Sequence, residues 1–270
     1  MRSLAILVPL LLVTMVAANG ALTVLPQSIT GPGLELSDSG ILGLGIAGAA
    51  AESEAPMPPF EGTQPVDPVF FAVINEGASD SFQLAVPFHT QKDGDRFQGS
   101  NCGPASLQMV LDAFGVQESN ADLRLLSHTY QGTVGYRGGT ALQYVARAAR
   151  DFGIETVGLY DGPAERFHQW SIEDVRAELA AGRPVVPLVK YRLLPGHEAS
   201  TIRFDHYIVI YGEDGDQFLY HDPSYEAPSE GSARWIGAPQ LNTAMRASIV
   251  PGQAVSFGPG QREALAASRV

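Results

Sequence analysis

The sequence predicts an α+β domain, a helical part packed on an antiparallel sheet, and three observations carry that prediction. Up to about residue 182 the apolar residues of the patterned region recur at helical spacing, and beyond it they form short β-branched and aromatic runs. The helical segments come first and the strands follow. Capping residues and glycines stand where helices would start and stop.

The elements follow in order. "FQLAVPF", from Phe82, alternates like a strand. "GPASLQMVLDAF" places Leu107, Val110, Leu111 and Phe114 on one helix face, and Gly115 stops it. "NADLRLLSHTY" predicts a second helix with Asn120 as its N-cap. "GGTALQYVARAARDFG" predicts a third, capped by Thr140, with Leu142, Val145, Ala146 and Ala149 facing inward and Gly153 as terminator. "SIEDVRAELAAG" has Ser171 followed three residues later by Asp174, the form of a capping box. "PVVPLVKY", "HYIVIYG" and "QFLYHDP" have the profile of buried strands.

The 270 residues divide into four expected segments. Residues 1–26, "MRSLAILVPLLLVTMVAANGALTVLP", have a basic start, an apolar core and small residues near Ala18 and Ala21. That is the form of a secretory signal peptide; the alternative is an uncleaved membrane anchor. Residues 27–80 are rich in Gly, Ala, Pro and acids and read as a flexible linker, or as a propeptide. Residues 81–250 form the patterned domain, and 251–270 read as a loose tail. The net charge of -12 argues against nucleic acid or anionic lipid as a partner. Membrane contact is expected only through the N-terminal segment, if it stays uncleaved.

Cys102 is the only cysteine. In an exported protein an unpaired thiol is inert, intermolecular or reactive. Its setting, "GSNCGPASLQ", selects the last: it opens a helix, whose positive end stabilises a thiolate. Gly103 permits close backbone approach and Pro104 suits the first turn. A nucleophilic thiol needs a base, and of six histidines His206 is the best placed, at the start of a buried strand after Asp205. Asp222, at the end of the next strand, can orient that base. If Glu213, Asp214 and Gly215 form a three-residue hairpin loop, His206 lies directly opposite Asp222, and His221 is turned to the other face. The backbone N–H of Cys102 is one oxyanion donor, and Gln91 or Gln98 supplies a second. No cofactor or metal is expected: neither "HDP" nor the Asp93/Asp95 pair has ligand spacing.

"VPFHTQKDGDRFQGSNCGPASLQMVL", "GGTALQYVARAARDFG", "AELAAGRPVVPLV" and "DHYIVIYGEDGDQFLYHDPS" together resemble the papain-like cysteine peptidases related to bacteriocin-leader (double-glycine) peptidases. The resemblance implies a papain-like fold and a peptide or protein substrate. It implies Cys102 as nucleophile, His206 as general base, Asp222 as the orienting residue and Gln91, rather than Gln98, as the oxyanion glutamine. "GTVGYRGGT" lacks the Gly-Lys-Ser/Thr ending of a phosphate loop, so a stand-alone exported hydrolase is expected. Two alternatives stay open: a thiol acyltransferase or cell-wall peptide amidase, and a peptide- or wall-binding module without activity.

Overall fold

The computed structural model describes residues 81–162 and 166–260. The signal-peptide and linker segments, residues 1–26 and 27–80, lie outside the described residues.

Three helices come first. α1 (Cys102–Ala113) is buried on nearly every side, including Ala105, Leu107, Met109, Val110 and Leu111. It is the central helix, wrapped by α2 (Asn120–Gln131) and α3 (Leu142–Asp151) on one flank and by the sheet on the other. Its single-face reading therefore understates it: a helix hydrophobic all round is an interior one. Gly115, at φ +76°, ends it. Ser119, not Asn120, caps α2, its hydroxyl accepting from the Asp122 N–H, and Asn120 is the first helical residue. Thr140, by contrast, is one residue early: α3 is preceded by Ala141 with no side-chain cap, and Thr140 packs against Gly103. The expected inner face of α3, Leu142, Val145, Ala146 and Ala149, is fully buried. Ser171 and Asp174 do form a reciprocal capping box on α4 (Ile172–Ala180).

The sheet is antiparallel. β2 (Ile154–Val157), β10 (Ala254–Pro259), β5 (Val185–Lys190), β7 (Val209–Asp214), β8 (Gln217–His221) and β9 (Arg234–Gly237) lie in that order. β6 (Asp205–Tyr207) pairs with β5, and β1 (Phe82–Gln83) pairs with β7. A separate ribbon pairs β3 (Tyr160–Asp161) with β4 (Arg166–Phe167). A one-turn helix, α5 (Pro228–Gly231), and α6 (Ala238–Arg246) complete the described elements.

"FQLAVPF" is strand only over its first two residues. It then becomes a strap across the sheet: Leu84 N–H donates to Tyr211 O, Val86 O accepts from His221, and Gln91 N–H donates to Pro223 O.

The tail reading of residues 251–270 is corrected over its first part. β10 is an inner strand between β2 and β5, with Val255 and Phe257 fully buried. Small residues hid it, and they serve close packing: the Gly258 backbone lies against the Arg183 side chain. Phe257→Ala should cost about 3–5 kcal/mol, the usual range for emptying a filled aromatic site. Urea unfolding checks this, and an unchanged midpoint would return residues 254–259 to the tail.

Candidate active site

α1 and β6 bring the reactive groups together. Cys102 opens α1; the residue is half-buried and in no disulfide. Gly103 makes the approach possible: a Cβ there would lie 3.2 Å from Val145 and 3.5 Å from Tyr207. Gly103→Val should therefore push α1 away from β6 and lower thiol reactivity along with stability, measurable by alkylation and thermal unfolding.

His206 is buried, paired across from Val189 on β5, and is electrostatically coupled to the Cys102 thiol. Its Nε2 donates to Asp222 Oδ1 at 2.8 Å, which leaves Nδ1 for the sulfur. Asp222, fully buried just beyond β8, also accepts the Ser224 N–H on Oδ1 at 2.8 Å.

The hairpin that unites His206 with Asp222 is not the expected one. Asp214 pairs with Gln217, so the loop is the two residues Gly215–Asp216, with Gly215 at φ +58°. A two-residue loop alone would put His206 and Asp222 on opposite faces. A bulge at Tyr211, between Ile210 and Gly212, restores the shared face: beyond it Val209 pairs with His221, which sets Ile208 across from Asp222 and makes His206 its diagonal neighbour. Next to the bulge, Gly212 lies against β1, where any Cβ would be 2.9 Å from the Phe82 carbonyl.

The electrostatics follow from burial and pairing. Burial raises the thiol pKa, but the hydrogen bond and charge of His206, with the N–H groups of Tyr207 and Gly103, bring Cys102 below its ordinary value. Burial disfavours the His206 imidazolium, yet the Asp222 carboxylate and the hydrogen bonds to Asp222 and Cys102 push it up to about 10. Asp222 is held well below the carboxylate range: burial opposes its charge, and the charge of His206 and its hydrogen-bond donors outweigh that. These shifts together favour a thiolate–imidazolium pair over a neutral one. His221 lies outside the cluster. Its Nε2 donates to Val86 O and its Nδ1 accepts the Ala233 N–H, a neutral tautomer, and burial takes it down to about 4.

The two glutamines behave differently. Gln91 is buried, tethered through its backbone to Pro223 beside Asp222, and its amide donates to Gln98 O at 2.8 Å just before α1. Gln98 is exposed, and its side-chain oxygen accepts from Gly94 N–H in the preceding turn.

Two residues escaped sequence reasoning. His197 donates to Asp222 Oδ2 at 2.8 Å. Arg124, buried on α2, donates to Asn101 Oδ1 at 2.6 Å, to Tyr136 O at 2.7 Å and to Gly138 O at 3.1 Å, with Phe97 stacked 4.3 Å away. It ties the residue before Cys102 to the α2–α3 loop. An arginine in an amphipathic helix has no local mark that distinguishes this task from a solvated face.

A buried helix that starts at a cysteine, packed on an antiparallel sheet that carries a histidine and an aspartate, is the papain-like arrangement of a thiol hydrolase. The chain belongs to the peptidase C39-like family, whose model matches residues 83–238. Several solved structures are similar to parts of this chain. A C39-like peptidase from Bacillus anthracis is 19% identical over 64% of this chain and 94% of its own, with a TM-score of 0.43. The peptidase domain of Streptococcus ComA, a bi-functional ABC transporter of a quorum-sensing pathway, is 23% identical over 60% and 93%, with a TM-score of 0.38. A double glycine motif protease from an AMS/PCAT transporter, in complex with its leader peptide, is 20% identical over 66% and 94%, with a TM-score of 0.43. No curated protein is significantly similar in sequence.

Proposed function

We propose that this protein is an exported cysteine peptidase that hydrolyses peptide bonds through Cys102, His206 and Asp222. One observation carries the reading: a half-buried cysteine at a helix start is coupled electrostatically to a buried imidazole that is anchored through Nε2 on a buried carboxylate. Cys102, as thiolate, attacks the scissile carbonyl and the electron pair moves to oxygen. The backbone N–H of Cys102 and the Gln91 amide stabilise that oxyanion, the amide turning from Gln98 O to do so. His206 gives its proton to the leaving amine, leaving a thioester on Cys102. Water, deprotonated by His206, then hydrolyses the thioester and frees the acid. Residues 1–26 direct export, and residues 27–80 tether the peptidase domain, which extends through β10.

The test is the pH dependence of Cys102 alkylation by iodoacetamide in wild type and His206→Ala. Wild type should react on a plateau between an acid limb well below a free thiol's ~8.5 and an alkaline limb near about 10, where the imidazolium is lost. The variant should lose the plateau and titrate as an ordinary thiol. An inert wild-type thiol, or one indistinguishable from free cysteine, overturns the reading.

A further inference from the structure

We propose that His197 is a positioning residue of the same site, so that Asp222 serves two imidazoles and the loop before β6 is built into the catalytic apparatus; this rests on the triad reading above. His197 sits in the connection from β5 to β6. Its backbone is held in a turn, His197 N–H on Leu194 O and Ser200 N–H on His197 O. Arg234 clamps the turn from β9 by donating to Pro195 O at 2.6 Å. Gly196, at φ +84°, lets that guanidinium come within 2.9 Å of where a Cβ would be.

The ring is as constrained as the backbone. Tyr191 stacks on it at 4.1 Å and 27°, and Tyr225 lies on it at 5.1 Å and 34°. Tyr191 also meets His206 edge-on at 5.2 Å, so one aromatic wall covers both histidines. The charged and titratable groups facing His197 are Asp222, Tyr191 and Tyr225, with Glu198 and Arg234 alongside.

The role follows from how Asp222 is held. His206 Nε2 and Ser224 N–H both bind Oδ1, and His197 is the donor on Oδ2. Two donors on one oxygen leave the carboxylate free to swing about that oxygen. A donor on the other oxygen fixes its plane, and with it the His206 ring. A hydrogen bond to a buried charge is a strong one, and losing it leaves Oδ2 of a fully buried carboxylate without that partner.

The experiment compares His197→Asn with His197→Gln. The Asn amide stops near the Nδ1 position and cannot reach Asp222; the Gln amide reaches the Nε2 position. Iodoacetamide is the probe, which needs no substrate. In folded His197→Asn the reactive plateau of Cys102 should narrow from both sides, each limb moving by about one pH unit as the ion pair weakens. His197→Gln should return it toward wild type. On any peptide cleaved by wild type, kcat should fall about 10-fold in the Asn variant with KM unchanged. If the Asn variant does not fold, His197→Phe, which keeps the stack and deletes the donor, takes its place. A wild-type plateau that is unchanged in the folded donor-less variant overturns the role of His197 alone. A wild-type thiol without the plateau overturns the triad and His197 together.

Discussion

Replacing Cys102 by alanine should remove turnover, by about 10⁴-fold or more, and leave the fold in place. The thiol is the only group in the site that can form the thioester, and nearby residues can at most bind the substrate and polarise it. The structural cost is small because the residue is half-buried and alanine is a good helix former at the start of α1. The unfolding midpoint should shift by less than about 1 kcal/mol in free-energy terms. Peptide cleavage and thermal unfolding of one preparation check both halves. Turnover near wild type in this variant removes the peptidase mechanism, whatever the geometry.

Asp222→Asn should cost about 10³–10⁴ in kcat and, separately, stability. An asparagine offers one acceptor and one donor where His197, His206 and Ser224 all present N–H groups. One histidine must then change tautomer or lose its partner, and His206 held the wrong way round cannot accept the thiol proton. The stability loss at neutral pH should be about 3 kcal/mol, at the low end for a broken buried pair because His206 can shed its proton. Its pH dependence has a definite sign. Asp222 is depressed in the fold, so its contribution is present above the unfolded carboxylate value of ~3.9 and lost as pH falls through its folded value. His206 is raised, so its contribution is full below ~6.5 and lost as pH rises through about 10. The gap between wild type and variant should therefore be widest between about pH 4 and 6.5 and close toward pH 10. Urea unfolding at pH 5, 7.5 and 10 measures it, and a gap that grows with pH contradicts the assignment of charge.

Much of the architecture was legible because its signals are local. Gly115 and Gly153, which end α1 and α3, adopt positive φ through their own lack of a Cβ. The Ser171–Asp174 box closes within one turn. The caps at Asn120 and Thr140 each missed by one residue, since Ser119 competes for the same N–H groups and Thr140 is drawn inward by packing against Gly103. β10 was not legible: an inner strand flanked on both sides needs small residues, and small residues in a tail read as looseness.

Within the site, Cys102 declared itself by being the single thiol at a helix start, a setting chosen by neighbours one to three residues away. His206 and Asp222 were reached by strand logic that assumed an unbroken ladder. The shared face was right and its route was not, because the Tyr211 bulge cancels the parity of the two-residue loop. His197 and Arg124 carried no signal at all. Each acts across 23 or more residues of sequence, to Asp222 and to Asn101, and only the folded chain brings those partners within hydrogen-bond range. The sequence by itself determined α1 to α4, their starts to within a residue, and the place of the single thiol at a helix start, since short-range sterics and hydrogen bonds decide those. Tertiary structure alone decided the register of the sheet, the second histidine on Asp222 and the inner place of β10, since contacts between remote segments set them.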